Sequence, residues 1–315
     1  MTGLIIFGAS VLSLAGIYAI LAMILNLEAG WGGLWDLGTA GLLAAGAYCY
    51  VILTVHSDEI AFAPQLPIWM GIIGASLFTG LLAFLIGLPS LKMRGEYFLI
   101  TTFAFSVVVL ELITTESNIT MGATGIHDIV RPWDSLVSTR NYNLVLLAII
   151  STTCLAVWVI VRMIGWSPFG RLLRAARDNE PAALSTGKNV ARARLQTFVI
   201  AGLLIGAVAP LYVWYIRSLS PHLFHATLTF SVWTALVIGG IGSLRGPILG
   251  AFLLIVLTEA TQFLQVSADY ARILSASRPI LVGLALILIM RFRPEGLLPE
   301  SRSFVNARTR IDWKT

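Results

Sequence analysis

The chain is 315 residues long, 57% of them apolar and only 12% charged, with a mean hydropathy of +0.85. That composition excludes a soluble catalytic domain and describes a polytopic membrane protein: a span needs roughly 20 apolar residues to cross about 30 Å of hydrocarbon, which leaves room for about eight to ten spans. The formal net charge of +5 and the pI near 9.5 do not indicate a nucleic-acid partner, because the basic residues cluster in a few joints, the pattern that reports membrane topology.

In chain order, apolar stretches predict spans at 4–27, 33–54, 66–89, 97–115, 143–163, 195–216, 226–241, 247–266 and 279–291. The first has no Lys or Arg before it and outruns the core of a signal peptide, so it reads as a retained span. The seventh and ninth are short and need either an extra turn or a re-entrant course covered by protein. Cys49 and Cys154 sit inside apolar runs, where a thiol is a small hydrophobe, and their spacing suits neither a metal site nor a disulfide framework.

Residues 28–46 depart from a uniform helix, with Glu28, Asp36 and glycines 30, 32, 33, 38, 41 and 46 inside an otherwise apolar stretch. Two readings stay open. The second span is discontinuous, its freed backbone groups meeting protein or water, or its glycines let continuous helices pack closely.

Of the 21 basic residues, 16 fall on one side when the nine spans alternate, including the joint from Arg162 to Arg194, the pair Lys92 and Arg94, Arg245 and the C-terminal residues from Arg291 onward. By the positive-inside rule that side is cytoplasmic, with the N-terminus outside and the C-terminus inside.

The inward joint predicts a helix along the membrane surface followed by a second, two-turn helix. Asp178 or Asn179 caps the second, Pro181 fits only in its first turn, and Gly187 supplies the left-handed stop. Ala182 and Ala183 allow close backbone approach, and Arg174, Arg177 and Glu180 offer charged hydrogen bonds at the edge of a contact. By charge alone, such a basic segment reads as a lipid-headgroup anchor.

Three acids fall inside predicted spans: Asp36, Glu111 and Glu259. Intramembrane carboxylates face the bundle interior or a wet cavity, and for Glu111 and Glu259 a structural pair or subunit contact is the simpler role. The glycine-rich run 239–246 lacks the Lys-Ser/Thr of a phosphate loop and follows no strand, so it reads as a tight turn between spans. His56, His127, His222 and His225 show no metalloprotease spacing, and Pro221 beside His222 favours a turn over a metal site.

The pattern Glu180, Ala182, Ala183, Gly187 resembles the cytoplasmic coupling motif of ATP-binding cassette importer permeases. The wider run Arg174 to Glu180 is similar to one branch of them, the high-affinity branched-chain amino acid importer permeases of the M type. Leu25-Asn26-Leu27, Gly46-Ala47-Tyr48, Arg94-Gly95-Glu96-Tyr97, Thr124-Gly125-Ile126, Gly239-Gly240-Ile241-Gly242-Ser243 with Gly246-Pro247, and Phe292 to Leu297 extend the resemblance over nearly the whole chain. It departs at Trp35-Asp36-Leu37-Gly38-Thr39, where that family more often carries an uncharged segment. A carboxylate there receives a cationic group or is neutralised by an arginine or a proton.

The resemblance implies an all-α membrane bundle with a discontinuous second span and a short cytoplasmic coupling helix. Residues 1–300 form the permease domain, with the coupling segment at about 165–194, and 301–315 form a cytoplasmic tail. The coupling interface is Arg174, Arg177, Asp178, Asn179, Glu180, Ala182, Ala183 and Gly187, and the translocation pathway passes Asp36, Gly38, Thr39, Glu111 and Glu259. It further implies a plasma membrane location in a bacterium or archaeon and no cofactor in this chain, with ATP and Mg²⁺ held by two separate ATPase subunits. The other partners are a second, H-type permease subunit, an extracytoplasmic binding protein and membrane lipid. The cargo stays open among branched-chain and other amino acids, urea and short amides. The rival reading is an ion-coupled transporter using Asp36, Glu111 and Glu259. A membrane enzyme finds no cluster of acid, base and metal ligands to support it.

Overall fold

A computed structural model describes residues 2–55, 63–90, 95–127, 129, 131–134, 141–260, 280 and 282–300. His56, Lys92, Arg94 and the tail 301–315, all used in the sequence reading, lie outside the described residues, as does the end of the predicted eighth span. The described elements are helical: α1 Thr2–Leu25, α2 Thr39–Thr54, α3 Ile68–Ser90, α4 Gly95–Thr115, short α5 Ser117–Thr120, α6 Tyr142–Trp166, α7 Pro168–Asp178, α8 Glu180–Ser185, α9 Val190–Ile216, α10 Ala226–Gly239, α11 Gly246–Ala260 and α12 Val282–Phe292. Among them six stretches are long and apolar enough to cross a membrane and three apolar helices are shorter, which matches the nine predicted spans. The short seventh span gains its extra turn from a 3₁₀ segment, Pro221–Phe224, ahead of α10.

α1 and α9 form the centre of the bundle. Both are largely buried, whereas α3, α4 and α6 keep broad apolar faces outward, with Leu77, Leu81 and Phe84 exposed on α3 and Leu155 and Met163 on α6. α1 packs on α6, α11, α10 and α9, and α2 lies between α3, α9 and α4. Between helices in lipid no hydrophobic driving force remains, so close packing of small residues carries the association. The α3–α9 crossing shows this: a Cβ on Gly206 would lie 2.5 Å from the Ala75 carbonyl oxygen and 2.6 Å from Thr79 Oγ1.

The two ends of the bundle differ in construction. At one end Ile126 and Leu219 exchange both backbone hydrogen bonds at 2.8 Å, joining the α5–α6 and α9–α10 connections. There the buried Arg131 donates to the Tyr215 carbonyl, with its guanidinium 4.7 Å from the Tyr142 ring centroid. Burial, and then the positive charge of Arg217, push the pKa of Arg131 down. The opposite end gathers the end of α1, α7, α8, the α10–α11 turn and residues 293–300.

Replacing Gly206 by Leu is expected to force α3 and α9 apart at a cost of about 1–3 kcal/mol. Thermal melting of the purified chain in detergent checks this, and an unchanged melting temperature would show that the crossing is not tight.

Candidate functional site

α1 does not end cleanly. Its last turn widens into a π-helix, Asn26–Trp31, and the chain then runs without helix until Thr39. The predicted second span is thus discontinuous, with α2 providing 16 residues, about 24 Å of helix. Each polar backbone group freed inside the bilayer needs a partner, and side chains supply many of them. Leu34 N–H donates to the Glu28 carbonyl at 3.0 Å, Leu37 N–H to Thr102 Oγ1 of α4 at 3.0 Å, and Ala40 N–H to Thr229 Oγ1 of α10 at 3.0 Å. The Asp36 carbonyl accepts from the Trp233 indole at 2.7 Å, and the Trp35 and Trp233 rings stack with centroids 5.2 Å apart.

Asp36, Gly38 and Thr39 come together here, in a structural arrangement. One Asp36 carboxylate oxygen accepts from Gly38 N–H at 2.8 Å and the other from the Thr39 hydroxyl at 3.1 Å. The carboxylate therefore folds back on the two residues that begin α2, where it complements the helix dipole. Its oxygens find partners within the break itself.

The unpartnered acid is Glu28, which the sequence shows only as one of several interruptions. It is fully buried in the π turn, and neither carboxylate oxygen has a hydrogen-bond partner among the described residues. The other two predicted pathway acids are elsewhere. Glu111 is exposed on α4, nine residues or about 14 Å of helix beyond Thr102. Glu259 is half-buried on α11, near Tyr18 and Tyr215.

The π turn is tied to the α10–α11 turn, the glycine-rich run 239–246. Asn26 Oδ1 accepts from Gly242 N–H at 2.7 Å, Asn26 Nδ2 donates to the Ser243 carbonyl at 2.9 Å, and the Trp31 indole donates to the Gly242 carbonyl at 2.9 Å. Leu297 and Leu298 N–H donate to the Ile238 and Gly239 carbonyls, so residues following α12 lie against the same turn.

The predicted inward joint forms as two helices. Ser167 caps α7 by accepting from Gly170 N–H, and Gly170, Leu173 and Ala176 form its buried stripe. Asn179 is the cap of α8, accepting from Ala182 N–H at 3.1 Å. Pro181 sits in the first turn, and Gly187 closes the helix at φ +75° with nothing within 4 Å of where its Cβ would be. Ala183 is buried between Ala176 and Val190, and Arg194 of α9 pairs with Glu180 at 3.0 Å, so α8 is fixed to both neighbours.

Arg174 and Arg177 turn inward instead of standing at the edge of an external contact. Arg174 donates to the Gly165 carbonyl at 2.8 Å with its guanidinium 5.5 Å from the Trp31 ring centroid. Arg177 reaches three groups: the Gly30 carbonyl in the π turn, Asp178 at 2.9 Å and Glu300 at 3.0 Å. Burial alone would lower the pKa of Arg177, but the carboxylates of Glu300 and Asp178 outweigh it and hold it above the ordinary arginine range. What α8 leaves outward is Pro181, Ala182, Leu184 at 52% exposure, Ser185 and Gly187, beside the exposed Asp178 and Asn179. The His222 and His225 rings lie 5.7 Å apart, one in the 3₁₀ segment and one between it and α10, and no group of three or more metal-ligating side chains occurs among the described residues.

The family described as branched-chain amino acid transport system / permease component matches residues 8–289. The high-affinity branched-chain amino acid transport system permease protein LivM of Escherichia coli K12 is 31% identical over 314 residues, covering 92% of this chain and 69% of that protein. LivM of Salmonella typhimurium LT2 is 31% identical over 310 residues, 91% of this chain and 68% of that one. The LivH permease protein of the same Salmonella strain is 31% identical over 147 residues, 46% of this chain and 44% of its own length.

Two outcomes follow from this geometry. Asp36→Ala should destabilise the fold by about 1–2 kcal/mol, the worth of the two hydrogen bonds that its carboxylate accepts, with Asp36→Asn costing less. Glu28→Gln should cost little, because the carboxyl that it replaces makes no hydrogen bond among the described residues that could be lost. Chemical denaturation of the three variants reads the order, and a larger loss for Glu28→Gln would contradict it. In a double-mutant cycle, Arg177→Ala and Glu300→Gln should couple by about 1 kcal/mol, the upper end for a part-exposed pair. Strict additivity would remove the Arg177–Glu300 link.

Proposed function

This chain belongs to the branched-chain amino acid transport system permease family, and we propose that it carries a branched-chain or related amino acid across the membrane as one of two permease subunits of an ATP-driven importer. Its related partner is a LivH-type chain. Two ATP-binding cassette subunits hold ATP and Mg²⁺ and supply the work, and an extracytoplasmic protein delivers the cargo. The end of the bundle that carries α7 and α8 faces the cytoplasm of a bacterium or archaeon and the Ile126–Leu219 end faces outward, in keeping with the basic joint from Arg162 to Arg194.

The observation that carries this reading is α8. It lies outside the spans, its caps make it a defined two-turn element, and it presents Leu184, Pro181 and Ala182 to the outside while Ala183, Glu180 and Asn179 fix it from behind. An exposed apolar knob on a rigid mount suits insertion into a groove on another protein better than contact with water. Closure of the ATPase pair displaces α8, and α7 and α9 follow because the Ala176–Ala183–Val190 contact and the Glu180–Arg194 pair make the three helices one body. Arg177 passes that displacement to the Gly30 carbonyl, and so to the break between α1 and α2.

The ion-coupled alternative has no support in the family match. Its geometry is also poor: Asp36 uses both oxygens on Gly38 and Thr39, Glu111 is exposed on a different helix, and Glu259 lies on a third.

Gly187 separates docking from folding. Asn tolerates the left-handed conformation and is small, so Gly187→Asn should keep ATP-driven uptake within about twofold. Gly187→Trp meets open space but strains the left-handed backbone at φ +75°, so its melting temperature is read beside that of Gly187→Asn to separate loss of fold from filling of the docking surface. Uptake in proteoliposomes is expected to fall by about tenfold, equivalent to about 1.4 kcal/mol of lost contact. Full uptake with the ATPase bound at normal stoichiometry would refute docking through α8.

A further inference from the structure

Helices α1, α6 and α11 line an open groove of about 490 Å³, with Leu12, Gly16, Ile150, Cys154, Trp158 and Phe252 among its walls. Its α6 wall runs from Leu147 to Trp158, about 16 Å of helix, which is the depth of one leaflet of a hydrocarbon core about 30 Å thick. Ile150, Cys154 and Trp158 recur every four residues, and the next positions at that spacing are Arg162 and Trp166, so the groove wall continues into a basic and aromatic end.

The Arg162 guanidinium lies over both indoles, 5.1 Å from the Trp158 ring centroid and 5.4 Å from that of Trp166. Arg171 arrives at the same place from α7, donating to the Trp166 carbonyl at 3.2 Å. Among the described residues neither arginine is paired with a carboxylate. Tryptophan and arginine at this level mark the boundary between hydrocarbon and headgroups.

We propose that this groove binds one acidic glycerophospholipid of the leaflet at the coupling end, with an acyl chain between α1, α6 and α11 and its phosphate against Arg162 and Arg171. The apolar slot fits the chain, and two unpaired guanidinium groups match a phosphate. A zwitterionic headgroup would bring its own cation up to two others, so a net negative lipid is favoured. Because α6 passes through Ser167 directly into α7, the bound lipid braces the base of the coupling unit. The site requires only that the chain span a membrane, and neither the cargo nor docking through α8 enters it.

Native mass spectrometry of the full chain, purified from membranes with the subunits that accompany it, tests the site by titration with phosphatidylglycerol and phosphatidylcholine. The wild type should retain phosphatidylglycerol at several-fold higher occupancy. The pair Arg162→Gln and Arg171→Gln should abolish that preference, and Ser151→Trp, which fills the groove from α6, should reduce retention of both lipids. Equal retention of the two lipids by the wild type overturns the proposal without reliance on any variant. So does a disulfide from Ser151→Cys to a cysteine on the second permease subunit, which would show that a protein helix occupies the groove.

Discussion

Inside hydrocarbon a backbone amide or carbonyl without a partner costs several kcal/mol, and this constraint organises the protein. Most of the chain meets it by being helical. Residues 32–38 do not, and side chains drawn from two other helices help to meet it: Thr102 of α4 for Leu37 and Trp233 of α10 for Asp36, with Thr229 of α10 taking Ala40 at the start of α2, while Asn26 and Trp31 reach the α10–α11 turn. Polar residues that look scattered in sequence thus share one task. They hold open a stretch of non-helical backbone at the place where a permease has use for movable structure.

A short chain of contacts links α8 to that stretch. The cap, the buried alanine and the ion pair of α8 fix it to α7 and α9. Arg177 then joins this unit to the π turn through a single guanidinium, whose planar set of donors serves a carbonyl and two carboxylates at once. A lysine, with one compact charge on a flexible stem, could not hold all three in fixed geometry. Glu28, enclosed in the turn to which Arg177 is attached, is the one acid in this region whose acceptors are unused among the described residues.

The span pattern, the broken second span and the caps of α8 were legible in the sequence because each depends on local rules of hydropathy, glycine content and terminal residue type. The roles of individual acids were not. Asp36 and Glu28 are both carboxylates in apolar surroundings, and only the backbone path shows that one folds back on Gly38 and Thr39 while the other is left without donors. Arg174 and Arg177 read as outward-facing for a similar reason: helical spacing gives their position, but their partners Gly165, Gly30 and Glu300 are fixed by the tertiary fold. The docking of Leu297 and Leu298 on the α10–α11 turn likewise leaves no local trace, since it joins segments with α11 and α12 between them.

Residues 297–300 follow all of the described helices in chain order, yet they supply Glu300 to Arg177 and two backbone donors to the carbonyls at the end of α10. On a ribosome, therefore, this clasp is made only after every described helix. Until those residues emerge, Arg177 lacks one of its two carboxylate partners and the carbonyls of Ile238 and Gly239 lack these donors.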